Sequence, residues 1–310
     1  MNLSQIRDRL ATSTVRWAPS RLYAGAVGWS ARRTLPRAVR APIYSGFARV
    51  VGADLDEVEH PLREYPCFGE FFARGLRSGA RRIEPDPQAV IAPCDGKVGE
   101  GGTIAGGRLY QAKGRHYSLA ELVASGELAA ELEGGSYVTL YLAPRDYHRV
   151  HMPVEASLTA CYHVPGALFP VSEIFTSAVP RLFARNERVV ARLDADGGVV
   201  VLVFVAAVGV GNVVLRSGDA SSLDPLPRGG RRRWRDCSGV RLSRGEVVGA
   251  FHLGSTVIAL FSPGAFELDQ PPAGSPIRFG QKVGRACATG AKTAARGIAG
   301  VAEDDTERGT

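Results

Sequence analysis

Two histidines, two aspartates and one glycine–serine pair are the residues whose types and spacing could do chemistry in this chain. Ser255 follows Gly254 within Leu253-Gly254-Ser255-Thr256. Gly254 has no Cβ, so its backbone bends freely and its carbonyl is open to the next side chain. A serine hydroxyl set against the preceding carbonyl can attack it and shift the acyl group from nitrogen to oxygen. The ester can then eliminate at residue 255 to dehydroalanine, and hydrolysis leaves a pyruvoyl group at a new N-terminus. The same pair also reads as a turn whose hydroxyl bonds nearby backbone. His148 and His151 lie in Asp146-Tyr147-His148-Arg149-Val150-His151, with Pro144 before and Pro153 after. The prolines argue for extended chain, in which positions i and i+3 face opposite sides. Separate roles are therefore expected for the two rings. No metal site is read, because no glutamate follows His148 as in zinc proteases and no cysteine cluster is near. An aspartate could orient a histidine that activates the serine. Asp95 and Asp146 are both candidates, and spacing does not choose between them.

The elements that must position these groups are mostly strands. Gly245–Gly264 reads as strand, tight turn, strand, with the Gly-Ser pair at the turn. Tyr137–Leu142, Arg188–Leu193 and Val199–Val208 are short runs rich in Val, Leu and Tyr between turn residues. Val199–Val208 is apolar on both faces, which predicts a central strand buried on both sides. Strands do not alternate regularly with helices, so the expected class is α+β with a largely antiparallel β core. Residues 54–77 read as a helix with Phe68, Phe71 and Phe72 on its core face. Residues 1–50 read as short helices interrupted by Pro19, Pro36 and Pro42. The Arg-rich stretch 225–239 reads as a solvated loop, with a lipid contact through Trp234 as the rival.

Composition sets the partners. The chain has 310 residues and a net charge of +7. Residues 1–50 hold nine arginines against the single acid Asp8, interleaved with Trp17, Tyr23 and Trp29. That mixture suits a segment lying in a bilayer interface on an anionic surface. No helix-turn-helix, zinc-finger or RNP-type signature accompanies it, so nucleic acid is not expected. No run is long and apolar enough for a transmembrane helix, and the start does not read as a signal peptide. The five cysteines are scattered and odd in number, which fits a reducing compartment without a disulfide framework. Cys94 reads as a small buried filler. The expected organisation is a membrane-associating segment (1–60), a catalytic domain (61–285) and a flexible tail (286–310), with the N-terminal helices on the membrane-facing side.

Several stretches, in order, resemble phosphatidylserine decarboxylase proenzymes of the bacterial long form. They are Phe68-Gly69-Glu70-Phe71-Phe72-Ala73-Arg74, Pro93-Cys94-Asp95-Gly96-Lys97-Val98, Gln111-Ala112-Lys113-Gly114, Ala143 to Pro153, Leu182 to Val189, and Gly245 to Val257. Gly75 departs from a common Pro, and Cys94 from a small residue such as Ala. The resemblance implies self-cleavage between Gly254 and Ser255 into a large chain (1–254) and a small chain (255–310) that stay associated. It implies that Asp95, His151 and Ser255 form the relay for that cleavage and that Ser255 becomes the pyruvoyl cofactor. The ketone would form a Schiff base with phosphatidylserine, and His148 matches a histidine implicated in decarboxylation. The product would be phosphatidylethanolamine, made by a peripheral enzyme at the cytoplasmic face of the cell membrane. A homodimer of the processed pair is left open. The alternative reading is a serine hydrolase in which Ser255 attacks lipid esters and the chain stays intact.

Overall fold

A computed structural model describes residues 28–112, 114–207, 213–216, 223–225, 233–251 and 255–287. Helix α1 (Arg37–Val51) starts directly after Pro36 and closes on Gly52, whose φ of 76° suits glycine and whose N–H donates to the Ala48 carbonyl. Pro42 lies inside this helix and does not interrupt it, contrary to the sequence reading. The expected helix over 54–77 is also corrected. Pro61 and Pro66 break it, leaving a 3₁₀ turn at Leu62–Glu64 and a single-turn helix α2 (Phe68–Phe72). The aromatic residues assigned to a core do pack there. Tyr44 stacks on Phe71 at 4.6 Å, and Phe47 meets Phe68 edge-on at 4.8 Å, tying α1 to α2.

The strands follow as β1 (Ala89–Ile91), β2 (Gly96–Thr103), β3 (Arg108–Ala112) and β4 (Arg115–Ser118). Next come helices α3 (Leu119–Val123) and α4 (Gly126–Leu132), each capped by a serine side chain, Ser118 and Ser125. After them run β5 (Ser136–Leu142), β6 (Arg149–His151) and β7 (Ala156–Val164), then the short helices α5 (Glu173–Ala178) and α6 (Leu182–Arg185). The remainder is β8 (Arg188–Ala195), β9 (Gly198–Val205), β10 (Val213–Arg216), β11 (Leu223–Pro225), β12 (Arg233–Leu242), β13 (Val247–Phe251), β14 (Ser255–Phe261), β15 (Phe266–Leu268), β16 (Pro276–Ile277) and β17 (Lys282–Ala286).

The named strand pairings are antiparallel, and with 21% helix and 39% strand the class is α+β. The largest sheet has the order β12-β7-β8-β9-β14-β5-β2-β16, and a four-stranded sheet has the order β11-β10-β13-β6. Strands β9 and β14 sit at the centre of the larger sheet and are buried almost throughout, as their unbroken runs of Val, Ile, Leu and Phe require. Residues 233–242 form strand β12 against β7, which corrects the loop reading there; 226–232 lie outside the described residues. Cys94 is a fully buried thiol.

Candidate active site

Two consecutive strands meet at the glycine–serine pair, but they belong to different sheets. The chain leaves the four-stranded sheet at Phe251 and enters the eight-stranded sheet at Ser255. His252, Leu253 and Gly254, and with them the expected scissile bond, lie outside the described residues. Ser255 opens β14. It pairs with Leu142 of β5, is fully buried, and its Oγ has no hydrogen-bond partner. Alternation along the strand puts Ser255 and Val257 on one face. Phe204, opposite Val257, has its ring 5.4 Å from that of Phe251, so this face is the one turned toward β13.

His148 precedes β6, and its carbonyl accepts the Phe251 N–H at 3.0 Å. Its Nδ1–H donates to the Asp146 carbonyl at 2.8 Å, and its ring packs on Phe72 at 4.0 Å. The remaining ring nitrogen, Nε2, is buried without a partner. Burial pushes the imidazole down to about 3, and the Arg74 guanidinium adds to the effect. His148 is therefore neutral, with an accepting nitrogen to spare. Arg74 is itself buried, with Nε and Nη1 unpartnered and Nη2 3.4 Å from the Arg145 carbonyl.

His151 is held on every side. Its backbone N–H donates to the Pro93 carbonyl at 2.7 Å, and Nδ1–H donates to the Gly245 carbonyl at 2.8 Å. Gly245 takes a φ of 83°, a conformation suited to glycine, to present that oxygen. Nε2 accepts the Tyr147 hydroxyl at 2.9 Å, and the ring stacks on Phe279 at 3.6 Å. Burial lowers its pKa to about 4.

Asp95 sits on the bend before β2 and is 6% exposed. Gly96 follows because a Cβ there would lie 2.4 Å from the Tyr141 carbonyl oxygen. The carboxylate takes the Phe279 N–H at 2.8 Å and two edges of the Arg81 guanidinium, at 3.0 and 2.5 Å. Arg81 also spans Glu57 through bonds of 2.7 and 2.8 Å, so one buried cation bridges two carboxylates. These contacts raise the Arg81 pKa against the opposing effect of burial, and hydrogen bonding from Arg81 lowers that of Glu57. The rival Asp146 instead accepts the Ala143 N–H at 2.7 Å, and burial raises its pKa.

Asp95 and His151 are thus neighbours that share Phe279, its amide on one and its ring on the other. The polar partners of Asp95 are Arg81 and Phe279, and those of the His151 ring are Gly245 and Tyr147, so no hydrogen bond runs from carboxylate to imidazole to Ser255. Sequence reasoning missed Arg81, Glu57 and Phe279. Tyr147 lay inside the histidine stretch, where its spacing four before His151 was the available signal.

The family model described as phosphatidylserine decarboxylase matches residues 68–285. A phosphatidylserine decarboxylase proenzyme from Anaeromyxobacter sp. (strain K) is 42% identical over 282 residues, covering 91% of this chain and 100% of its own. That of Bordetella avium is 40% identical over 281 residues, covering 89% and 94%. That of Methylococcus capsulatus is 44% identical over 244 residues, covering 77% and 83%. The chain is an enzyme, a decarboxylase. It belongs to the phosphatidylserine decarboxylase family.

Proposed function

We propose that the chain converts phosphatidylserine to phosphatidylethanolamine with a pyruvoyl group that it makes from Ser255 by cutting its own backbone after Gly254. The observation that carries this is the Ser255 hydroxyl: fully buried, without a partner, and preceded by glycine. An orphaned hydroxyl inside a core costs free energy, so its presence calls for an explanation, and a catalytic task supplies one.

In this reading Ser255 Oγ loses its proton to a histidine and attacks the Gly254 carbonyl carbon. The C–N bond breaks and an ester forms. Loss of the residue-255 α-proton then expels the Gly254 carboxylate, and hydrolysis exchanges ammonia for water. Asp95 and His151 are assigned to this cleavage, with Asp95 acting on His151 through Phe279. The pyruvoyl ketone, once formed, supplies an electron sink next to an amide for an α-amino carboxylate that loses CO2. His148 is assigned to take up a proton on its accepting Nε2 and pass it to the carbon that the carboxylate leaves. The small chain stays seated because β14 is bonded along both edges, to β5 from Ser255↔Leu142 to Phe261↔Ser136 and to β9 from Thr256↔Val205 to Phe261↔Val200.

Membrane contact at the cytoplasmic face is assigned to the N-terminal segment. Trp29, Ile43 and Val50 are exposed there, and the Arg33 guanidinium lies 4.1 Å over the Trp29 ring. Among the described residues no helix is long and apolar enough to cross a membrane.

One observation favours a second reading. Both ring nitrogens of His151 are engaged, whereas Nε2 of His148 is not. The two histidines would then exchange roles, His148 activating Ser255. Intact mass and CO2 release from carboxyl-labelled phosphatidylserine test both readings. The first expects His148→Ala to be cut but inactive and His151→Ala to remain whole; the second expects the reverse for cleavage. Ser255→Ala remains whole and inactive in either. A whole His148→Ala chain beside a cut His151→Ala chain overturns the first assignment.

A further inference from the structure

Thr256 points the other way from Ser255, since successive strand residues face opposite sides. On its side of the eight-stranded sheet lies a cavity of about 260 Å³, walled by β2, β5 and β14 below and by α5 above. Its lining includes Lys97, Gln111, Tyr141, Glu173 and Thr256, with Glu100 as a second carboxylate. The wall is built rather than incidental. The Gln111 amide NH2 donates to the carbonyls of Thr176 and Val179 at 2.6 and 2.8 Å, and its oxygen accepts the Leu182 N–H at 2.7 Å. One buried side chain thus pins α5 and the start of α6 over the cavity.

Two features point to a ligand. Thr256 is fully buried among the residues lining the cavity and its Oγ1 has no partner, so a hydroxyl beside the cavity is left unused. At the mouth, the Lys97 ammonium is 3.7 Å from the Glu173 carboxylate, with the side chains 51% and 74% exposed. Such a solvated pair is weak, and the lysine is available to a stronger anion. The volume is below the roughly 300–1,000 Å³ of pockets that enclose drug-sized ligands. A volume of this size suits a polar head group.

We infer that this cavity receives the phosphate end of the lipid substrate's head group, with the Thr256 hydroxyl donating to an anionic oxygen and Lys97 leaving Glu173 to meet the phosphate. The inference rests on the reading of residue 255 as the reacting residue, because Thr256 is its covalent neighbour. A head group anchored at 256 is held one residue from the chemistry. The two faces of β14 then divide the head group: its phosphate is held on the Thr256 face, and its amino and carboxyl groups reach past the start of the strand to the Ser255 face, which is turned toward β13 and the histidine strand.

The test uses the self-processed, full-length protein in mixed micelles. Thr256→Val keeps the shape and removes the donor, Thr256→Ser restores it, and Lys97→Met removes the charge at the mouth. Intact mass first reports cleavage. The expected result is a small chain in each variant, with KM raised roughly tenfold to a hundredfold for Thr256→Val and Lys97→Met, the size of a hydrogen bond to a charged group. Thr256→Ser should return close to wild type. Glycerophosphoserine should inhibit the wild type competitively and lose potency in parallel, while inorganic phosphate at the same concentration should not inhibit. Normal cleavage with unchanged KM in both Thr256→Val and Lys97→Met overturns the head-group assignment and leaves the pyruvoyl reading standing. Loss of cleavage in both overturns a role confined to binding. An uncut, active wild type would instead sink the reading beneath it.

Discussion

Replacing Arg81 with methionine tests whether the buried cation, rather than packing, holds the Asp95 corner together. Arg81 contacts Asp95 through two edges and Glu57 through two more, and its side chain is 7% exposed. Without it, Asp95 keeps only the Phe279 N–H, at a site where its own side chain is 8% exposed. Breaking a buried pair by deleting one partner costs about 3–5 kcal/mol, because the other charge is left uncompensated. Glu57, with 22% of its side chain exposed, recovers solvation more easily, so most of the loss belongs to Asp95. That loss is a large fraction of the roughly 5–15 kcal/mol that stabilises an ordinary domain. Urea denaturation followed by circular dichroism measures it in the uncleaved Ser255→Ala background. Asp95→Asn in the Arg81→Met background should recover about 2 kcal/mol or more, since the orphaned charge is gone. A single variant within about 1 kcal/mol of the parent, or strictly additive losses in the double variant, would refute the reasoning.

Other consequences come from the same geometry. His148 and His151 are neutral in the fold, at about 3 and about 4, against an ordinary value near 6.5. The unfolded chain therefore binds more protons below that value, and stability present at neutral pH is lost as pH falls. About 2–3 kcal/mol should go between pH 7 and roughly 5.5, and His151→Gln should halve the slope in the same denaturation series. Arg188 is buried and donates to the carbonyls of Glu121, Leu122, Ala184 and Asn186, with burial lowering its pKa to about 10. Arg188→Met should cost about 3 kcal/mol or more by thermal or urea melt, and Arg188→Lys should not rescue it, because an ammonium cannot reproduce the planar fork. Tyr147→Phe removes the donor to His151 Nε2. It should cost about 1 kcal/mol of stability and, with that nitrogen released, change the rate of appearance of the small chain on a time-resolved gel.

The central strands were readable because β9 and β14 are unbroken apolar runs, and only burial on both faces rewards such a pattern. The extended chain at His148 and His151 was readable from its flanking prolines. The stretch 54–77 misled because its three phenylalanines keep helical spacing, whereas Pro61 and Pro66 forbid a long helix. Pro42 misled in the other direction, since the fold accommodates it inside α1. The setting of Asp95 was not readable. Its partner Phe279 is 184 positions away, and Arg81 carries no local signal that separates it from neighbouring surface arginines. Nor does a strand–turn–strand pattern say that its two strands lie in different sheets, as β13 and β14 do.

Self-made pyruvoyl chemistry is tested most directly by the mass of the polypeptide beyond Gly254 in the purified, active protein. The expected result is a separate small chain spanning residues 255–310, lighter by one ammonia than simple hydrolysis would leave it and resistant to Edman degradation at its first residue. A continuous chain through residue 255 in protein that still releases CO2 from phosphatidylserine would contradict it.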